Sequence, residues 1–272
     1  MCRVLSVSRN GYYRWRKRPE SRRAVENKRL DVHIKAIYKK HKGRCGSPKI
    51  TQELNDNGFQ VSKNRVARRM KEAGLRSIVR RKYRPTTDSK HSYPVAANLL
   101  QRDFTASASN TVWVSDITYI ATKNGWLYLT VFLDLFSRMV VGWALSSSLG
   151  SQMVQTALHR AIQRRRPAAG LIIHSDRGVQ YACKDFRKEL GKHRFVQSMS
   201  RKGNCWDNAV AESFFGVLKT ELVYHTKYEG HQDTLHSIFE YIEVFYNRER
   251  RHSTIGYLTP VEYEKQKLRF CA

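Results

Sequence analysis

The sequence predicts an α/β protein in which a mixed five-stranded sheet flanked by helices is preceded by an all-α region. Three observations predict this architecture. Apolar residues recur at helical spacing before residue 79, and segments rich in β-branched and aromatic residues follow residue 109. Helices and strands then alternate, which is typical of a sheet covered by helices.

The composition indicates a globular protein with a polyanionic partner. Of the 272 residues 41% are hydrophobic, and 50 lysines and arginines against 23 acids give a net charge of +27. Residues 1–100 hold 27 basic and 7 acidic side chains, whereas residues 101–272 hold 23 and 16. Such a field attracts nucleic acid. A ribosomal or membrane-surface protein is the alternative, but neither needs the ordered, Trp-rich second part.

Neither a membrane location nor cysteine chemistry is indicated. No apolar run reaches the roughly 18 residues of a membrane span, and the N-terminus lacks the apolar stretch of a signal peptide. We therefore expect a cytoplasmic, nucleoid-associated protein with no membrane partner. The five cysteines are scattered without a C-x-x-C pair, so we expect reduced thiols rather than a zinc site or disulfides.

Residues 25–78 are predicted to form a helix-turn-helix DNA-binding domain. One helix covers residues 30–40, a second starts with Ser47 as N-cap and Pro48 at its first position, and Ser62 caps a third. The third helix is predicted to expose five side chains that can hold phosphates or read base edges: Lys63, Asn64, Arg65, Arg68 and Arg69. The alternative is a helical hairpin with a solvated basic face.

The rest of the chain divides by composition. Residues 1–24 read as a partial helical or helix-turn-helix segment, with a helix, a turn and the start of a basic helix in residues 4–13. Residues 79–108 are basic, polar and proline-punctuated, which predicts a linker. Residues 109–225 are predicted to form the α/β core, and residues 226–272 a helical extension of it.

The elements of the core follow from their patterns. Strands are predicted at 112–120, 127–133, 139–145, 171–174 and 195–198, with an Asn-Gly turn at Lys123-Asn124-Gly125 joining the first two. Helices are predicted at 152–165 and 184–191. After a loop at 200–206, Asp207 is expected to cap a long helix.

Three acids stand where an active site would need them. Asp116 lies inside an apolar strand, where a charge is unfavourable unless it is paired or binds a cation. Asp176 ends the fourth strand, at the sheet edge where α/β proteins often bind ligands. Glu212 lies on the long helix, and at 100° per residue its face also carries Asn208, Gly216 and Lys219, opposite the apolar Val210, Phe214 and Val217.

Carboxylate oxygens are the ligands that Mg²⁺ and Mn²⁺ prefer, and two such ions can clamp the attacking and leaving oxygens of a displacement at phosphorus. Spacing alone leaves an alternative open, because the three acids could be ordinary caps and surface pairs among 23 acidic residues.

Motifs around these acids resemble the integrase-like bacterial insertion-sequence transposases. Asp116 lies in W-x-x-D-I-T-Y, Asp176 in H-S-D-R-G-x-Q-Y, and Glu212 in D-N-A-x-A-E-S-F-F-x-x-L-K, with 35 residues between the last two. The segment Tyr246–Pro260 resembles the motif with which sequences of that family usually end. Residues 43–48 resemble its helix-turn-helix, with Cys45 in place of an aromatic residue. The zinc-binding His/Cys module of retroviral integrases is absent from the sequence.

The resemblance implies an RNase-H-like core and metal-dependent DNA cleavage and strand transfer. It implies that Asp116, Asp176 and Glu212 are the catalytic metal ligands, for Mg²⁺ or Mn²⁺ and two ions, and that Asn208 and Lys219 contact DNA. It implies double-stranded element ends and target DNA as partners, a homo-oligomer on DNA, and an upstream-frame helix-turn-helix protein that is fused or paired. Asp134, Asp207 and His174 are then structural: a residue paired near a turn, a helix N-cap and a neutral core histidine.

Two other functions share these residues. An RNase-H-like nuclease would use the same carboxylates for hydrolysis alone, and joined DNA products would separate it from a transposase. A catalytically inactive DNA-binding regulator is the third hypothesis, which the presence of all three acids disfavours.

Overall fold

The computed structural model describes residues 2–78, 93–202 and 204–270. It divides the chain into two compact units, Met1–Ile78 and Val79–Ala272. The part of the chain that the structure describes contains no helix long and apolar enough to cross a membrane. Among the described side chains, Cys2, Cys45 and Cys183 are free thiols.

The first unit consists of four helices: α1 (Arg9–Arg16), α2 (Arg22–Lys40), α3 (Ser47–Asp56) and α4 (Lys63–Glu72). An apolar core joins the last three, and its members include Leu30, Ile34, Ile50, Leu54 and Val66. The predicted cap of α4 is confirmed, because the Ser62 hydroxyl accepts the Arg65 amide. The N-cap of α3 is Gly46 rather than Ser47, which already belongs to the helix.

The N-terminal segment differs from its prediction. Residues 2–6 form turns instead of a helix, and α1 follows with Ser8 as its N-cap and no buried residue. Helix α2 begins at Arg22, eight residues before the predicted start, where the Ser21 side chain accepts the Ala24 amide. The extra turns of α2 are mostly exposed, so no apolar periodicity marks them in the sequence.

The second unit contains a five-stranded sheet of order β3-β2-β1-β4-β5. The strands are β1 (Val112–Thr122), β2 (Gly125–Asp134), β3 (Val140–Ser146), β4 (Ile172–Ser175) and β5 (Val196–Met199). Strand β2 pairs antiparallel with β1 and β3, whereas β4 pairs parallel with β1 and β5. The predicted mixed five-stranded sheet is confirmed.

The helices of this unit are α5 (Ser151–Arg165), α6 (Val179–Ala182), α7 (Lys184–Lys192), α8 (Ala209–Glu221), α9 (His231–Phe239) and α10 (Pro260–Phe270), with a π-helical segment at Glu240–Tyr246. Two apolar clusters form the core: one joins the sheet to α8, α9 and the π-helical segment, and the other joins it to α5 and α7. Gly142 permits close contact of β3 with α5, because a Cβ there would lie 2.4 Å from the Ala157 carbonyl oxygen.

Two details of the second unit depart from the sequence analysis. In the β1–β2 hairpin Thr122 pairs with Gly125, so Lys123 and Asn124 are the two turn residues and Gly125 alone takes a positive φ, of +114°. Residues 93–108, assigned to the linker, pack on the core: Leu100 is buried and the Leu99 amide donates to the Ser198 hydroxyl. Residues 79–92 of the predicted linker lie outside the described residues.

Candidate active site

Asp116 lies on β1, the central strand of the sheet. It is half-buried, and its carboxylate accepts the Ile117 amide at 2.8 Å. Burial raises the pKa of Asp116, and the charges of Asp176 and Glu212 raise it further. Asp116 is therefore an unfavourably placed carboxylate in a site that concentrates negative charge.

Asp176 is brought beside Asp116 by the register of the parallel strands. Ser115 of β1 pairs with Ser175 of β4, so the two aspartates are the next residues along adjacent strands. The Gly178 amide donates to the Asp176 carboxylate at 2.9 Å. A Cβ on Gly178 would lie 3.0 Å from that carboxylate oxygen, so glycine suits the close approach of the backbone.

Tyr181 lies near both aspartates. Its ring is fully buried, and its hydroxyl is 2.8 Å from the Ser115 hydroxyl and 3.3 Å from that of Thr130. Burial raises the pKa of Tyr181 well above its usual value, and Asp116 and Asp176 raise it further. The phenol is consequently neutral, and it links β1, β2 and α6 around the acid pair.

Glu212 is exposed in the first turn of α8. Burial raises its pKa, and Asp176 adds to that effect. The buried stripe of the helix consists of Ala211, Phe214, Phe215 and Leu218, so it lies to one side of Glu212 rather than opposite it as predicted. Val210 and Val217 are only partly buried.

Lys219 lies on the same helix and is half-buried. Burial lowers its pKa, and Asp116 acts in the opposite direction. Lys219 is therefore close enough to the acid site to influence it. Over residues 2–78, 93–202 and 204–270, however, no three His, Cys, Asp or Glu side chains are grouped so that they could hold a metal ion.

Asn208 and Asp207 do not occupy their predicted positions. Asn208 is buried and donates to the Ser115 carbonyl at 3.1 Å, so it ties the start of α8 to β1 instead of facing DNA. Asp207 does not cap α8. Its carboxylate is buried and accepts hydrogen bonds from the Arg201 amide and guanidinium, which lower its pKa. A short 3₁₀ turn, Cys205–Asn208, precedes the helix and displaces both residues.

The structural roles predicted for His174 and Asp134 are confirmed. His174 is buried, and burial lowers its pKa to about 4, so the ring is neutral. Its Nε2–H donates to the Asp207 carbonyl at 2.9 Å, and its Nδ1 accepts from the Ser198 hydroxyl at 2.8 Å. Asp134 is buried near the β2–β3 turn, where it accepts the amides of Asn110 and Phe136.

The polar face of α4 is narrower than predicted. Lys63, Asn64 and Arg68 are exposed, but Arg65 and Arg69 are only partly so. The Arg65 guanidinium donates to Glu26 and Asn27 of α2. Arg69 binds the Asp31 carboxylate of α2 and also contacts Glu72. These two arginines therefore join α4 to α2.

A buried ion pair at the end of α8 escaped the sequence analysis. The Arg250 guanidinium donates to both Glu221 carboxylate oxygens at 3.0–3.2 Å, and the Tyr241 hydroxyl donates to the same carboxylate at 2.8 Å. Asn247 pairs with the backbone amide and carbonyl of Val140 at the edge of β3. The sequence marked these residues only as part of the polar segment that begins at Tyr246. A local pattern cannot show which distant residues such side chains contact.

Comparisons with known proteins match nearly the whole chain. The model of an HTH-like domain matches residues 25–83, and two models of an integrase core domain match residues 106–205 and 212–268. An uncharacterized 31 kDa protein of insertion element IS600 from Shigella sonnei is 42% identical over 266 residues, covering 98% of both proteins. The transposase InsF for insertion sequence IS3A from Escherichia coli strain K12 is 41% identical over 270 residues, covering 98% of this chain and 94% of the relative.

A solved structure shows the same fold at lower sequence identity. A chain of the simian T-cell lymphotropic virus intasome, in complex with PP2A regulatory subunit B56 gamma, matches with a TM-score of 0.51 at 19% identity, over 81% of this chain and 70% of that chain. At this identity the similarity shows the fold alone, and it agrees with the integrase-type, RNase-H-like core predicted from the sequence.

The fold and the family models define a DNA recombination enzyme, a polynucleotidyl transferase with an integrase core and an HTH-like domain. Within that class the chain belongs to the family of insertion-sequence transposases that includes the IS3 proteins, and it functions in DNA transposition.

Proposed function

We propose that Asp116, Asp176 and Glu212 catalyse metal-dependent cleavage and strand transfer at the ends of an insertion sequence. The observation that carries the proposal is the parallel register of β1 and β4, which sets the two aspartates side by side. Glu212 lies within electrostatic reach of both. A cluster of like charges is unfavourable by itself and becomes favourable when cations bind to it.

The donor set suits Mg²⁺ or Mn²⁺, since all three acids offer hard oxygen ligands. Burial and mutual repulsion raise the pKa of Asp116, which indicates a deficit of positive charge at this position. Glu212 is exposed on a helix preceded by a short turn. We infer that Glu212 completes the ligand set only when metal and DNA are bound. When bound, two ions would stabilise the attacking and leaving oxygens of the phosphodiester.

The remaining residues hold the site and the DNA. The Gly178 amide orients the Asp176 carboxylate, and the Ile117 amide orients that of Asp116. Lys219, half-buried near Asp116, would neutralise a phosphate beside the scissile bond. In the first unit the exposed side chains Lys63, Asn64 and Arg68 of α4 would contact the terminal DNA of the element.

The experiment that tests this function separates joining from hydrolysis. Labelled duplexes of the element's terminal DNA, with either a 3′-hydroxyl or a 3′-deoxy end, are incubated with the full chain, Mg²⁺ and a target plasmid. We expect joined products from the 3′-hydroxyl duplex and none from the 3′-deoxy duplex. Cleavage without joined products from either substrate would indicate a hydrolytic nuclease instead. Absence of both reactions would support an inactive regulator.

A further inference from the structure

Trp206 is a large aromatic side chain left in solvent near the acid site. It lies in the 3₁₀ turn before α8 and is 67% exposed. An exposed indole offers a large flat apolar face with a polar N–H edge, which suits contact with a partner. The turn therefore presents an apolar surface that the described parts of the chain do not bury.

Hydrogen bonds tie this turn to both strands that carry the aspartates. The Asp207 carbonyl accepts from His174 of β4, and the Asn208 amide group donates to the Ser115 carbonyl of β1. His174 lies two residues before Asp176, and Ser115 directly precedes Asp116. Trp206 thus directly precedes the two residues, Asp207 and Asn208, that tie the turn to the strands of the acid pair.

Two arginines accompany the tryptophan. The buried Asp207 carboxylate accepts from Arg201 through Nε and Nη2 and from Arg102 through Nε, while Arg102 also donates to Asn204. The Arg201 and Arg102 side chains remain 55% and 49% exposed. One carboxylate thus orients two guanidinium groups whose combined charge it only half neutralises, an arrangement that suits phosphate oxygens.

We propose that the 3₁₀ turn is a grip for an unpaired DNA strand end, in which Trp206 stacks on a base and Arg102 and Arg201 bind the adjoining phosphates. An aromatic face flanked by oriented cations fits single-stranded nucleic acid, since every base offers a stacking surface and every nucleotide a charge. The inference rests on the proposed function for its location. Asp207 acts as a positioning residue, because it holds the arginines and touches no DNA itself.

The test is a binding titration in EDTA, which makes its outcome independent of the metal ligands. The probes are two duplexes of the element's terminal DNA, one blunt and one with three unpaired nucleotides at the 3′ end. Trp206→Ala is expected to weaken binding of the overhang duplex about tenfold and that of the blunt duplex less than about twofold. Trp206→Phe should recover most of the loss. Trp126→Ala, at a 59% exposed tryptophan of β2, is the matched control and should change neither probe.

The arginines are tested by salt dependence. The double variant Arg102→Ala/Arg201→Ala should lower the slope of log affinity against log salt by about one for each lost phosphate contact, or about two in all. Thermal unfolding of each variant checks the fold. Equal weakening of both probes by Trp206→Ala, no weakening at all, or an unchanged salt slope in the double variant would overturn the grip. Failure of the three-carboxylate mechanism would instead appear as near-normal joining by variants of the three acids, and it would leave these titrations as expected.

Discussion

Helices α4 and α8 each carry one polar face assigned to function, yet they are held in different ways. Helix α4 buries Val66 and Met70 in the apolar core of the first unit, and ion pairs from Arg65 and Arg69 join it to α2. The support of α8 is a buried apolar stripe together with the Glu221–Arg250 pair at its C-terminal end. In both helices, residues of the same type therefore differ in role. Arg69 and Glu221 hold their helices in place, whereas Arg68 and Glu212 are exposed.

The largest expected effect separates the two glutamates of α8. Glu212→Gln should lower strand joining by several orders of magnitude and leave the thermal stability nearly unchanged, because the side chain is exposed. Glu221→Gln should do the reverse. It leaves Arg250 buried without its counter-ion, which destabilises the fold by about 3–5 kcal/mol. Both variants are measured by single-turnover joining at low temperature and by urea unfolding. Equal joining rates for the two variants would contradict the assignment of Glu212 to catalysis and Glu221 to stability.

Acid should weaken the first unit through Glu53 of α3. Burial opposes ionisation of this carboxylate, but hydrogen bonds and charges from His41 and Lys40 prevail and lower its pKa from 4.5 to about 2. A lowered folded-state pKa stabilises the fold above the unfolded value, and that contribution is lost as the pH falls from about 4.5 to about 2. We expect a loss of about 3 kcal/mol over this window.

Glu53→Gln is the control for this effect. The variant should be less stable at neutral pH, and its stability should fall less between pH 5 and pH 2 than that of the wild type. Urea titrations followed by circular dichroism give both values. If the stability of the variant falls with pH as steeply as that of the wild type, Glu53 is not the source of the predicted loss of stability in acid.

The third prediction divides the arginines of α4. Arg69→Ala removes a contact with Asp31 and should destabilise the protein by about 1–3 kcal/mol. Arg68→Ala changes an exposed residue, so stability should stay the same while the salt slope of binding to terminal DNA falls by about one. If Arg68→Ala binds DNA like the wild type in gel-shift titrations at several salt concentrations, α4 does not face DNA through this residue.

Lys219→Ala should have the smallest effect. The lysine lies near Asp116, so its loss should misplace the terminal phosphates and slow joining about tenfold through positioning. Extra DNA should restore part of the rate, since the metal ligands are unchanged. Lys219→Arg keeps the charge and should retain most of the activity. If the Lys219→Ala variant joins DNA at the wild-type rate when DNA is subsaturating, Lys219 does not position the terminal phosphates.

The two helices also show how far the sequence could predict this protein. The strand pattern predicted the sheet, and the motifs singled out Asp116, Asp176 and Glu212, because periodicity and local spacing are properties of the sequence. Neither could distinguish Arg68 from Arg69. Whether a polar side chain meets water or a partner 38 residues away, as Arg69 meets Asp31, depends on tertiary packing. The short turn before α8 likewise moved Asn208 from the predicted DNA face into the interior.

The most direct test of the central claim measures single-turnover joining for the wild type and for Asp116→Asn, Asp176→Asn and Glu212→Gln, at saturating element-end DNA over a range of Mg²⁺ concentrations. Binding of the same DNA is measured in parallel. We predict that each substitution lowers joining by at least about a thousandfold and changes DNA affinity by less than about threefold, since a lost metal ligand impairs chemistry rather than the grip on DNA. Near-normal joining by any one of the three variants would contradict the three-carboxylate mechanism.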